Sequence, residues 1–117
     1  METFNEELRR RTKALALKIV HLYPKLGSGD VARIIGKQLL RSATSMAANF
    51  RASCRARSDG EHYAKLCIVI EETDETLFWL ELIEEGGTLK PEIIKEIKEE
   101  TFRLLQILSK TRKTLKK

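Results

Sequence analysis

Apolar residues recur along this chain at spacings of three, four or seven, the period of one face of an α-helix. In the first segment they are Leu8, Leu15, Ile19, Leu22 and Leu26. Three further segments repeat the pattern, and no strand-like alternation persists anywhere. The pattern therefore predicts four helices, at about residues 4–26, 31–55, 59–85 and 91–115.

Turn and capping signals separate these segments. Gly-Ser-Gly at 27–29 is a flexible break, and Asp30 after it is a candidate helix cap. Ser58 with Glu61 three residues later fits a capping box. Because the connections are short, consecutive helices should pack antiparallel. We therefore predict an all-α, up-down-up-down four-helix bundle that forms a single domain over residues 1–117.

A polar row crosses the second predicted helix, and the third carries two carboxylates and a tryptophan beside its core stripe. A buried carboxylate is tolerated only when it is paired. We therefore predict a charge-assisted hydrogen-bond network between the two rows, named here the polar seam, which comprises Gln38, Arg41, Ser42, Ser45, Asn49, Glu72, Glu75 and Trp79. If the seam is buried, replacing Arg41 by Ala should cost roughly 3–5 kcal/mol. The spacing leaves one alternative open, in which both carboxylates face solvent and the tryptophan merely covers the core.

Two stretches of the chain resemble a known family: QLLRSATSMAANFRASCRARS at 38–58 and KLCIVIEETDETLFWLELI at 65–83. They are similar to the small bacterial proteins encoded in intervening sequences of 23S ribosomal RNA genes. The wider family includes the accessory variability determinant of diversity-generating retroelements. The resemblance implies a four-helix bundle that assembles into a homopentameric ring without catalytic activity, with the polar seam as its signature residues. It also implies nucleic-acid binding and, in the retroelement branch, a reverse transcriptase as partner.

One stretch departs from the family pattern. Residues 50–53 read Phe-Arg-Ala-Ser, where many relatives have an acidic residue. This end of the second helix is therefore more basic than the resemblance alone implies.

Charge is segregated along the chain. The total is +5, yet residues 58–87 carry a net charge of −8, and residues 1–29, 30–57 and 88–117 carry +3, +5 and +5. In an antiparallel bundle, the start of the first helix and the ends of the second and fourth helices share one end. Twelve cations should meet there. We name them the basic pole: Arg9, Arg10, Arg11, Lys13, Arg51, Arg55, Arg57, Lys110, Arg112, Lys113, Lys116 and Lys117.

The basic pole predicts a partner. Helix dipoles favour cations at helix C-termini but disfavour the arginines at 9–11, near a helix start. We therefore predict that a homo-oligomer binds nucleic acid, as structured RNA or RNA/DNA, through this pole with a steep salt dependence. The alternative is a protein-interaction scaffold without a nucleic-acid role, whose basic surface pairs with acidic helices of neighbouring subunits or with an acidic partner.

The chain offers little catalytic chemistry. A di-iron bundle needs carboxylates on several helices, and the second helix has none after Asp30. His21 and His62 have no nearby nucleophile, and Cys54 and Cys67 form no metal motif. No apolar run is long enough to span a bilayer. We therefore expect a cytoplasmic protein that is not an enzyme and holds no metal or cofactor.

Overall fold

The structure, a computed structural model, describes residues 1–87 and 89–115. Its helices are α1 (Phe4–Leu22), α2 (Asp30–Cys54), α3 (Asp59–Gly86) and α4 (Pro91–Thr114), with a short 3-10 helix (Tyr23–Leu26) after α1. No strand occurs among these described residues. The predicted all-α four-helix bundle is confirmed, and the bounds of α2, α3 and α4 lie within one residue of those predicted.

The connection between α1 and α2 differs from the prediction. Helix α1 ends at Leu22 and the chain continues as a 3-10 turn, because Pro24 has no N–H to donate to the α-helical ladder. Asp30, the predicted cap, is instead the first residue of α2, and Gly29 occupies the N-cap position. The Asp30 carboxylate pairs with Arg33 at 2.6 Å. It therefore neutralises a nearby arginine without capping the helix.

The starts of α1 and α3 are held by side chains. Thr3 and Glu6 form a complete capping box at α1, in which Thr3 Oγ1 accepts from the Glu6 N–H at 3.1 Å and Glu6 accepts from the Thr3 N–H at 2.9 Å. At α3, Ser58 Oγ accepts from the Glu61 N–H at 3.1 Å. The Glu61 carboxylate reaches the Arg57 N–H at 3.2 Å, one residue before the position that the predicted capping box requires.

Cross-helix ion pairs show how the bundle is ordered. Arg11 of α1 pairs with Glu100 of α4, and Glu84 of α3 pairs with Lys98 of α4. Helices α2 and α3 form the most extensive pair. The resulting body measures 44 × 27 × 20 Å. Its antiparallel order brings the start of α1, the end of α2, the start of α3 and the end of α4 to one end, where the basic pole was predicted.

The core draws on all four helices, with Ile19, Met46, Leu80 and Leu104 each completely buried. It also contains buried hydroxyls, at Thr12, Ser42, Ser53, Thr73, Thr76 and Thr101. Each of these donates to a backbone carbonyl three or four residues earlier in its own helix. No buried side-chain nitrogen or oxygen in the described residues lacks a hydrogen-bond partner, so the helices can pack closely without an unsatisfied polar group.

Candidate nucleic-acid interface

The polar seam joins α2 to α3 through one arginine. Arg41 Nη1 and Nη2 donate to the two carboxylate oxygens of Glu72 at 3.1 and 3.2 Å. Arg41 Nη2 also donates to Glu75 at 2.6 Å. The guanidinium thus bridges two carboxylates one turn apart, which is the fork geometry that makes arginine–carboxylate contacts strong and directional. Arg41, however, is about half exposed, with 49% of its side chain accessible. The condition of a fully buried pair is therefore not met.

Trp79 completes this group of side chains. Its indole Nε1 donates to Glu75 at 3.2 Å. The hydrogen bond from Arg41, followed by that from Trp79, lowers the pKa of Glu75, against the raising effect of partial burial. Trp79 is itself half-buried, so it both covers the core and orients a carboxylate. Arg41, Glu75 and Trp79 therefore form one hydrogen-bonded group.

A buried hydroxyl pair lies beneath these charges and was not predicted. Thr76 Oγ1 contacts Ser42 Oγ at 2.9 Å, and both side chains are completely buried. Thr76 also contacts the Glu72 carbonyl at 2.7 Å. Thr76 lies at a core position of α3. A hydroxyl residue at a core position, opposite the serines of the polar row on α2, was the signal in the sequence that could have predicted this contact.

The remaining seam residues do not reach α3. The Asn49 side-chain amide donates to the carbonyl and hydroxyl oxygens of Ser45, at 2.9 and 3.1 Å. Gln38 is half-buried and forms no side-chain hydrogen bond within residues 1–87 and 89–115. The structure thus joins Arg41, Glu72, Glu75 and Trp79 in one group, with Ser42 below it. Gln38, Ser45 and Asn49 line the α2 side only.

The basic pole contains a cleft between α1 and α2. The open cleft has a volume of about 730 Å³. Five cations and two carboxylates line it, and we name this set the α1–α2 cleft: Arg9, Arg10, Lys13, Arg51, Arg55, Glu2 and Glu6. The structure therefore brings together five of the twelve predicted cations, four from α1 and α2 and one, Arg55, from the C-cap of α2.

The two carboxylates of the cleft are already engaged. Glu2 accepts two hydrogen bonds from Arg10, at 2.9 and 3.0 Å, and this contact lowers the pKa of Glu2. Glu6 is held by the capping box with Thr3, which lowers the pKa of Glu6. The other four cations of the cleft form no ion pair in the described part of the chain.

Other members of the predicted pole are directed elsewhere. Arg11 donates to both carboxylate oxygens of Glu100, at 3.0 and 3.1 Å, with 22% of its side chain exposed. Arg112 of α4 is half-buried, and its Nη1 lies 3.9 Å from Sγ of Cys67 on α3. Arg57 is exposed and pairs with Glu61. Arg11 and Arg112 thus lie at the predicted pole but outside the cleft, because their positions around the helix axis turn them toward α4 and α3.

The rest of the pole lies on or beyond α4. Lys110 and Lys113 are exposed but do not line the α1–α2 cleft. Lys116 and Lys117 lie outside the described residues. The cations that line the α1–α2 cleft therefore do not include the described lysines of α4.

The cations that line the cleft offer hydrogen-bond donors to an extended anion. Long guanidinium and ammonium side chains offer many N–H donors for phosphate oxygens.

No group of His, Cys, Asp or Glu residues suited to hold a metal ion occurs within the part of the chain described. In that same part, no helix is both long enough and apolar enough to cross a bilayer.

Comparison with known proteins places this arrangement in context. A family model described as 23S rRNA-intervening sequence protein matches residues 5–110. A crystal structure from Bacteroides thetaiotaomicron, of a protein with unknown function from the S23 ribosomal protein family, superposes with a TM-score of 0.84. The two are 31% identical, over 92% of this chain and 99% of the other. No curated protein matches the chain. The matched range contains the whole polar seam and every residue of the α1–α2 cleft except Glu2.

Proposed function

Because the chain belongs to the 23S rRNA-intervening sequence protein family, we propose that it is a non-catalytic, homo-oligomeric protein that binds structured RNA through its basic pole. The family description names 23S rRNA intervening sequences. A positively charged surface with unpaired cations supplies the sequence-independent part of nucleic-acid affinity. Family and surface chemistry thus support the same partner.

One observation carries the proposal. Arg9, Lys13, Arg51 and Arg55 line one cleft and make no ion pair within the described residues. Four like charges around a shared space repel one another, and an anion placed among them relieves that repulsion. A polyanion that releases its counterions on binding is the ligand such a surface favours.

Self-association is supported by apolar side chains that remain exposed. Val31 and Ile34 of α2 are 69% and 62% exposed, and Ile68 and Leu82 of α3 are 39% and 37% exposed. Val31 and Ile34 lie one helical turn apart on α2, and exposed apolar side chains that lie together mark interaction surfaces. We propose that further copies of the chain cover them, in the pentameric ring that the family resemblance implies.

A second candidate function rests on α3. Its exposed carboxylates include Glu71, Asp74 and Glu85, within a segment of net charge −8. In a scaffold without nucleic acid, these carboxylates would pair with the α1–α2 cleft of a neighbouring subunit. Salt would then dissociate the oligomer, because its contacts would be electrostatic.

The two candidates give different results in one experiment. Size-exclusion chromatography with light scattering, with and without a ribosomal RNA fragment, is run at about 50 to 200 mM salt. RNA binding predicts a complex at low salt that is lost as salt rises, while the mass of the protein oligomer stays constant. A scaffold predicts no RNA complex and a protein mass that falls with salt. RNA affinity that stays flat across the series contradicts the electrostatic model.

An accessory role beside a reverse transcriptase is a narrower form of the same proposal. The basic surface would then hold the RNA or RNA/DNA on which such an enzyme works. Co-purification of a reverse transcriptase with the tagged protein, resistant to nuclease treatment, tests this role. Loss of the enzyme after nuclease treatment would show that nucleic acid alone connects the two proteins.

A further inference from the structure

Cross-helix ion pairs distinguish the α1–α2 contact from the contacts between the other neighbouring helices. Cross-helix ion pairs join α1 to α4 (Lys18 with Glu96), α2 to α3 (Arg41 with Glu72) and α3 to α4. No ion pair joins α1 to α2 in the part of the chain that the structure describes. The cations of α1 and α2 on this side of the bundle therefore form no ion pair across the groove, although Glu2 and Glu6 also line the cleft.

The sequence explains this absence. No Asp or Glu occurs at positions 8–29 or 31–58, so neither helix carries a carboxylate beyond its first turn. The acidic helix α3 packs against α2 and α4 and not against α1. A polyanion lying in the α1–α2 groove would consequently meet cations and few repelling charges.

The lining of the cleft also restricts which form of nucleic acid fits. All seven lining residues are charged, and none is aromatic. Proteins that bind single strands commonly stack bases on aromatic side chains, which supply much of their affinity. The α1–α2 cleft offers donors for phosphate oxygens and no ring on which a base could stack.

From these observations we propose that the α1–α2 cleft binds the phosphate backbone of helical, base-paired nucleic acid, whatever its sequence. This inference rests on the proposed function and narrows it in two respects. The site lies on one face of the bundle, formed by α1 and α2, and α4 cations at the same pole take no part in it. The preferred ligand is a duplex, because a duplex presents the densest array of phosphates and hides its bases.

Matched double variants test the location of the site. Arg51→Ala with Arg55→Ala removes two exposed cations of the cleft, and Lys110→Ala with Lys113→Ala removes two exposed cations of α4. Binding of a fluorescent hairpin duplex is followed by anisotropy over a salt series. The cleft variant should lower the slope of log K against log salt by about 1.8, at roughly 0.9 per lost phosphate contact. The α4 variant should leave the slope unchanged.

A second pair of variants guards against misfolding. Arg9→Gln with Lys13→Gln alters the α1 side of the same cleft at two exposed positions and should reduce the slope by a similar amount. Circular dichroism and light scattering establish that each variant keeps its helices and its oligomeric mass. A variant that loses either is replaced by the other cleft pair.

The ligand preference is tested with a single strand of equal phosphate number. The proposal expects the duplex to bind more tightly. Tighter binding of the single strand, or an equal loss of slope in the α4 and cleft variants, overturns the inference while leaving nucleic-acid binding in place. Absence of salt-dependent binding by the unmodified protein overturns the proposed function itself, so the two failures are distinguishable.

Discussion

Replacing Arg41 by Ala removes the cation that holds the polar seam together. Arg41 bridges Glu72 and Glu75, with closest contacts of 3.1 and 2.6 Å. The Arg41→Ala variant leaves two carboxylates one helical turn apart without the charge that neutralises them, although the Trp79 indole still donates to Glu75. The folded state should therefore lose both attraction and relief from like-charge repulsion.

The size of the loss follows from exposure. Exposed fractions are 49% for the Arg41 side chain, 14% for Glu72 and 36% for Glu75. Breaking a fully buried pair costs roughly 3–5 kcal/mol, because a desolvated charge is left alone. An exposed pair contributes about 0.2–1 kcal/mol. With two pairs, one of them to a mostly buried carboxylate, we expect Arg41→Ala to lower the free energy of unfolding by about 1–2 kcal/mol.

The pH dependence of the stability loss in Arg41→Ala identifies the ion pair with Glu75 as its cause. Arg41 lowers the pKa of Glu75 in the folded chain, and the unfolded value of a glutamate is about 4.3. A carboxylate whose pKa is lowered on folding stabilises the protein fully above its unfolded pKa and loses this contribution as pH falls through its folded pKa. The difference between the unmodified protein and Arg41→Ala should thus be complete at neutral pH and shrink below about pH 4.5.

The assay is urea unfolding followed by circular dichroism, at fixed protein concentration, from neutral pH to about pH 3. The matched control is Arg33→Ala, which removes an exposed arginine of the same helix paired with Asp30. It should change stability by at most about 0.5 kcal/mol. A loss above about 3 kcal/mol in Arg41→Ala would show that the seam is effectively buried. A difference independent of pH, or an equal loss in the control, would refute the ion-pair reasoning.

Three further predictions concern other parts of the chain. Gly87 has φ +71°, so Gly87→Ala should destabilise the folded protein by about 1 kcal/mol. Gly86 lies in open space within the last turn of α3, so Gly86→Ala should stabilise the folded protein by about 0.5–1 kcal/mol. Thermal melts of the two variants should therefore shift in opposite directions. Thr76→Val removes one hydroxyl of the buried pair and should cost about 0.5–1.5 kcal/mol, measured by urea unfolding, and no loss would mean that the pair is energetically neutral. Glu2→Gln removes the carboxylate that pairs with Arg10 in the α1–α2 cleft, so nucleic-acid binding should become tighter in the anisotropy assay. Weaker binding would contradict the placement of the site.

Hydrophobic spacing was sufficient to predict the fold, because each helix must turn one apolar stripe toward a shared core. The errors lie where local chemistry competes with that pattern. Pro24 ends the α-helical ladder early, although Leu26 continues the apolar stripe. Asp30 has the side chain of a cap, yet Gly29 adopts the extended backbone of the N-cap. Periodicity reports which face of a helix is buried, and it does not report where the hydrogen-bond ladder begins.

The sequence predicted which residues of the polar seam pair with each other, but it did not predict how deeply the paired side chains are buried. Antiparallel neighbours place Arg41 opposite Glu72 and Glu75, and the structure has these contacts. How deeply an arginine lies in a groove depends on the width of that groove and on the side chains at its edge, which spacing does not encode. The Ser42–Thr76 contact is similarly a matter of close approach between two helices.

The basic pole shows a second limit of sequence reasoning. Topology places the ends of α1, α2 and α4 together, but the direction of each side chain depends on its angle around the helix axis. Arg10 and Arg11 are adjacent in sequence, yet they turn about 100° apart on a helix. Arg10 consequently reaches the α1–α2 cleft, and Arg11 reaches Glu100 on α4.

Keeping unpaired cations on one groove has an energetic consequence for the whole bundle. Arg51 and Arg55 face Arg9 and Lys13 across the α1–α2 cleft, and like charges that face each other raise the free energy of the folded chain. The other neighbouring helices gain cross-helix ion pairs. The contact between α1 and α2 has no such pair in the described residues and depends on apolar packing in the shared core. A surface that opposes folding in the free protein favours binding a polyanion, because the bound phosphates turn this repulsion into attraction.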